Sequence, residues 1–197
     1  MKKRFPFVSL SLALTTLVVS STIATRLHGS PWSRVTVLEL REHGGVNKAQ
    51  LARGEWWRLL TSQFVHVNPA HMLFNVIALF LLAAAVERAQ GALVVMIVWL
   101  LSGIAGMYAS IYSVSPPYDV GSGASQALMG VAAASIFVVR ADKTLWLRLT
   151  LILTLALQLA LDLMAAHHPK PGHIVGFLVG LLLAILVVHN RPEATLK

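Results

Sequence analysis

Residues 121–130 read GSGASQALMG, and the apolar stretch VAAASIFVV follows directly. Small residues running into an apolar helix can be a packing device. They can also be the start of a helix that presents Ser125 as a nucleophile. The cluster alone does not separate the two. What stands at the start of two other apolar runs does, and those runs also decide the fold.

Six apolar runs cover about residues 7–25, 71–86, 92–112, 122–139, 145–164 and 173–189. Crossing a bilayer takes ~20 apolar residues, with ~17 as a practical minimum. The runs are long enough by this measure, with the second and fourth short, near the lower limit. The chain is 56% hydrophobic and only 12% charged, with a mean hydropathy of +0.71. A soluble domain carries about twice that charge fraction. The expectation is an all-α polytopic membrane protein: one membrane domain, residues 1–197, with six spanning helices. The run after "MKKR" is longer than most signal-peptide cores, so it reads as a first span rather than a cleaved leader. Residues 26–70 form an interfacial segment. Its "GEWWRLL" sets Trp56 and Trp57 at headgroup level, where indole rings anchor.

The net charge of +8 flanks the apolar runs. That suits anionic lipid headgroups and argues against a nucleic-acid partner. The chain has no cysteine, which excludes disulfides, thiolate metal sites and a cysteine nucleophile. Alternating spans put Lys2, Lys3, Arg4, Arg88, Arg140, Lys143, Arg148, Arg191 and Lys197 on one side, against Lys170 alone in the short loops opposite. By the positive-inside rule both termini are cytoplasmic. The segment 26–70 and the loops 113–121 and 165–172 then face outward. A bacterial inner membrane is the expected location.

Ionisable and strongly polar side chains inside a membrane mark function. The second span begins HMLFN, with His71 and Asn75 four residues apart on one helix face. The fourth begins near Ser125 and the sixth near His173. Even-numbered spans of an alternating bundle start on the same side. These four residues therefore converge at similar depth, one or two turns of ~5.4 Å below the outer surface. Gly172, Gly176 and Gly180 repeat every four residues, and Gly123, Ala124, Ala127 and Gly130 open the fourth span. Small residues at that spacing let helix backbones pack closely in lipid. Close packing would bring the His173 imidazole within reach of the Ser125 hydroxyl.

A serine hydroxyl needs a base to become a nucleophile, and histidine is the natural base near neutral pH. Acyl transfer also needs donors aimed at the developing oxyanion. Asn75, His71 and the backbone N–H of Ser125 can supply them. Asp119 and Asp162 are the nearest carboxylates in sequence, but neither is expected behind His173, so the reading is a Ser–His dyad.

With those residues in hand, the chain resembles the rhomboid family of intramembrane serine proteases. "GEWWRLLTSQFVHVNPAHMLFN" looks like its Trp-Arg loop and second helix. "GASQALMG" looks like its Gly-x-Ser motif, with Gly123 before the serine. "GHIVGFLVG" looks like its histidine helix with the glycine repeat. The likeness runs over about residues 54–189. It implies a rhomboid-like bundle with Ser125 as nucleophile, His173 as general base, and His71 and Asn75 lining the oxyanion hole. Arg58 and Glu87 match the family's structural polar residues, alongside Gly123, Gly176 and Gly180. It implies transmembrane-helix proteins as substrates, with no cofactor and no metal. One departure stands beside the nucleophile: Gln126 replaces the family's usual glycine.

Other readings fit less well. His66 and His71 lack the His-Glu-x-x-His pattern of a zinc protease. His167 and His168 share a loop with Lys170, and these histidines read as polar loop residues. "YDVGSG" and Asp162 do not make a convincing aspartyl pair. A transporter would carry charges and helix breaks at mid-span. Inactive family relatives, which bind transmembrane helices, typically lose the serine or the histidine, and both stand here.

Overall fold

The structure is a computed structural model that describes residues 5–141 and 144–189. Of the cations used to orient the chain, Lys2, Lys3, Arg4, Lys143, Arg191 and Lys197 lie outside the described residues. Six long helices account for most of the rest: α1 (Phe7–His28), α5 (Pro69–Gln90), α6 (Ala92–Tyr112), α7 (Ser125–Ala141), α8 (Leu145–Ala166) and α9 (Pro171–His189). Three short ones, α2 (Val37–Glu42), α3 (Lys48–Ala52) and α4 (Arg58–Thr61), lie between α1 and α5. No strand is formed among the described residues; the single antiparallel bridge joins Val46 to Gly121. Four helices, α1, α5, α6 and α8, are long and apolar enough to cross a membrane, whereas α7 and α9 are shorter apolar helices. The chain is an all-helical integral membrane protein.

The helix over the second apolar run is longer than its sequence suggests. Asn68 caps α5 by accepting from the N–H of Ala70 (2.9 Å), and Pro69 follows at the first turn. That is a strong start signal. At the far end polar residues continue the helix through Glu87 and Arg88 until Gly91 stops it at φ +99°. Hydropathy alone misses both extensions.

Each helix buries the face its small or polar residues define. In α1 these are Ser9, Ala13, Thr16, Ser20 and Ala24, a stripe at helical spacing that packs on α5. Glu87 ties the two together. It accepts from the N–H groups of Val8 (3.1 Å) and Ser9 (2.8 Å) and from the Ser9 hydroxyl (2.5 Å), so a carboxylate satisfies open donors at the start of α1. In α8 the buried stripe is Leu147, Leu151, Thr154, Gln158 and Asp162, and most of the rest is exposed.

The centre is α7, which touches α5, α6, α8 and α9. Its contact with α9 is backbone on backbone. A Cβ on Gly176 would collide with the carbonyl of Gln126, and one on Gly180 with the backbone of Gly130. Gly130 is itself closed over by Ser102 of α6, and Gly106 of α6 faces the carbonyl of Gly172. Glycine is thus required along both lines where α6, α7 and α9 meet.

The segment before α5 is ordered by polar contacts. Arg58 bonds Glu55 and donates to the carbonyls of Arg41 (3.1 Å) and Gly45 (3.0 Å), tying α4 to α2 and to the turns on either side of α3. Trp56 and Trp57 stay exposed at its edge, as interfacial anchoring requires.

Candidate active site

A cavity of about 350 Å³ opens at the end of the bundle where α5, α7 and α9 begin and α6 and α8 finish. Ser125, His173, His71, Gln126 and Lys170 line it. Gly123 comes just before the serine with φ +109°, in the left-handed region that disfavours any side chain, and its N–H donates to the Ser62 carbonyl (2.9 Å). The turn this permits starts α7 at Ser125.

His173 Nε2 lies 2.8 Å from Ser125 Oγ, and both residues are buried. The glycine contacts described above allow this approach. Gln126 Oε1 is 3.3 Å from the same hydroxyl, and its Nε2 donates to Ser110 of α6 (3.2 Å). The residue that departs from the family pattern therefore occupies the cavity wall and is held there.

The expectation that no carboxylate stands behind His173 is wrong. Asp162 Oδ2 lies 2.7 Å from His173 Nδ1 and also accepts from the N–H of Lys170 (3.0 Å). Asp162 lies near the end of α8, the fifth span. That end is on the same side as the starts of the even spans. A short turn, in which His167 adopts φ +60°, then sets the last turn of α8 beside the first of α9. A signal was present: Thr154, Gln158 and Asp162 recur every four residues in an otherwise apolar helix, so they share the buried face. Asp119 is engaged elsewhere, accepting from the N–H of Lys48 (3.2 Å).

The two oxyanion candidates lie differently. His71 is on the cavity wall. Asn75 is fully buried, and its side-chain nitrogen is 3.3 Å from His66 Nε2. His66, taken from sequence for a polar loop residue, is also buried. Its Nε2 accepts from the N–H of Ala124 (3.2 Å), so its proton sits on Nδ1, which faces Ser20 of α1 (3.1 Å). The Ser20 hydroxyl then donates to the carbonyl of Phe64 (2.8 Å). Burial, reinforced by the neighbouring His71, lowers the His66 pKa to about 3, which keeps it neutral. A hydrogen-bonded line thus runs from α1 through His66 to the residue before Ser125. No motif announced it, because His66 sits between α4 and α5 with no helical spacing to read.

Comparison with known proteins agrees with this architecture. The rhomboid domain family model matches residues 53–190. The chain is 33% identical over 144 residues to rhomboid protease GluP of Bacillus subtilis (strain 168), covering 72% of this chain and 28% of that protein. It is 33% identical over 153 residues to rhomboid protease AarA of Providencia stuartii, covering 68% and 53%. It is 28% identical over 158 residues to RHOMBOID-like protein 5 of Arabidopsis thaliana, covering 78% and 51%. The chain thus spans about a quarter to a half of the length of these relatives. The matched stretch contains every cavity residue named above and leaves out α1.

Proposed function

The chain belongs to the rhomboid family, and on that premise we propose that it is an intramembrane serine endopeptidase that cleaves transmembrane segments of other membrane proteins. The 2.8 Å approach of His173 Nε2 to Ser125 Oγ at the wall of the cavity carries this reading. The six long helices all cross the bilayer, and residues 1–197 act as one membrane domain. Both termini are cytoplasmic, the cavity opens outward, and the membrane is a bacterial inner membrane.

A substrate helix enters from the lipid and unwinds near the cavity, because its peptide bonds are shielded while helical. Glycine or proline in the substrate lowers that cost. The apolar groove between α5 and α8, about 550 Å³ and lined by Phe74, Ile77, Leu81, Leu153 and Leu157 among others, offers a surface for it. Ser125 attacks the carbonyl while His173 Nε2 takes its proton. The alkoxide is held by donors from His71, Asn75 and the N-terminal N–H groups of α7. His173 passes the proton to the leaving amine, and water from the outer side releases the acyl group. Gln126 narrows the space for the residue at the scissile carbonyl.

The test is cleavage of labelled single-span substrates in liposomes by wild type and Ser125→Ala. Cleavage by wild type alone is expected, together with fluorophosphonate labelling lost in the variant. Equal cleavage by both would remove Ser125 from the mechanism. Neither cleavage nor labelling by the wild type would point instead to a helix-binding relative without activity.

A further inference from the structure

We infer that Asp162 is a positioning residue for His173, so that the site works as a Ser–His–Asp relay rather than a dyad. The inference rests on the protease reading above and deepens it. A carboxylate can only accept, so the 2.7 Å contact puts the imidazole proton on Nδ1 and leaves Nε2 free to accept from Ser125. That is the tautomer a general base needs. When Nε2 takes the serine proton, the imidazolium has a fixed negative charge against its other nitrogen, and the proton on Nδ1 stays there.

Asp162 is suited to this by its surroundings. It is 2% exposed, and its Oδ2 is oriented by the Lys170 N–H. Its Oδ1 has no hydrogen-bond partner, with the Lys170 ammonium 3.7 Å away. A buried carboxylate with a spare oxygen is costly unless a charge compensates it. The imidazolium and Lys170 together supply that charge. Gln158 stands 3.4 Å from the same Nδ1, one turn before Asp162, and closes the ring's flank. The other titratable groups on the cavity wall are His71, Lys170, His66, His168, Tyr118 and Asp119.

The experiment compares wild type, Asp162→Asn and Asp162→Glu for cleavage at neutral pH, with thermal unfolding as a control. An asparagine amide can donate to Nδ1 and enforce the wrong tautomer. We expect its kcat to fall roughly 10³-fold or more, the scale of a lost triad carboxylate. A residue that only held the fold would show a rate loss that follows its stability loss, whereas a positioning residue loses rate with the fold intact. Asp162→Glu should recover part of the rate. A fall in rate that merely tracks lost thermal stability, with no recovery in Asp162→Glu, would reduce Asp162 to a structural tie and overturn the inference. The wild type gives a second readout that no misfolded variant can spoil. Its His173 nitrogen shifts should show Nδ1–H at neutral pH, and an Nε2–H form would refute the relay. A wild type that neither cleaves nor labels would remove the protease reading, and the relay with it. A wild type that cleaves while Asp162→Asn keeps its full rate would sink the relay alone.

Discussion

The two sides of α7 are built on opposite rules. Toward α6 and α9, glycines leave no room for a methyl group, and backbone lies on backbone. On the far side of the bundle, α5 and α8 part around an apolar groove, and the outer face of α8 is exposed along its length. Lipid supplies no hydrophobic drive for helices to associate, so close van der Waals contact must hold the first side together. On the second side the contact is through side chains, and it leaves a groove between α5 and α8. The fixed side carries Ser125 and His173, and the open side borders lipid. Rigidity stands where two atoms must stay within hydrogen-bond distance, and looseness where a foreign helix could lie.

The largest expected effect comes from breaking the fixed side. Gly176→Leu would drive a side chain into the Gln126 carbonyl and part α7 from α9. Cleavage should vanish with Ser125 still present, and an active Gly176→Leu would refute the packing account. Gly176→Ala should cost about 1–3 kcal/mol, the usual range for overpacking, read as a lower unfolding midpoint. Next comes the clamp between α1 and α5. Glu87→Ala leaves two backbone donors and the Ser9 hydroxyl without an acceptor. The loss should be roughly 1–3 kcal/mol, and chemical denaturation in detergent checks it.

A smaller, pH-dependent effect belongs to His66. Burial holds its pKa near 3 in the folded chain, against 6.5 ordinarily. The unfolded chain therefore binds the proton first as pH falls. This histidine costs no stability above about pH 6.5, and the penalty grows from there down to about pH 3. The unfolding midpoint should drop over that window, and His66→Gln should flatten the slope. An identical slope in the variant would assign it to other groups. The smallest stability change is expected on the open side. Leu157 lines the groove and is 44% exposed, so Leu157→Ala should shift stability by no more than about 0.5 kcal/mol. On the proposed function it should still raise KM for helical substrates, with kcat little changed.

The same contrast separates what could be read in the sequence from what could not. Hydropathy marks helices and the glycine repeat marks close packing, because both follow from spacing along one chain segment. The meeting of Ser125 with His173 follows from alternation of spans. Asp162 was legible in principle, as the last member of a polar stripe on α8, and needed only the direction of that helix. His66 was not legible. Its burial depends on Ser20 from α1 and Ala124 from α7 closing on it from distant parts of the chain. The short helices α2, α3 and α4 are set by capping boxes at Thr36 and Asn47 and by the Arg58 staple. Those are local polar bonds that an averaged hydropathy window erases.

The distance between Ser125 and His173 along the chain has a consequence for biosynthesis. A ribosome adds about 5–20 residues each second. The serine is therefore made several seconds before the histidine that will sit beside it. During that interval the hydroxyl lacks the His173 imidazole. Arming waits for the last long helix to dock through its glycines. On the proposed function, the packing interface thus doubles as a timer for the assembly of the site.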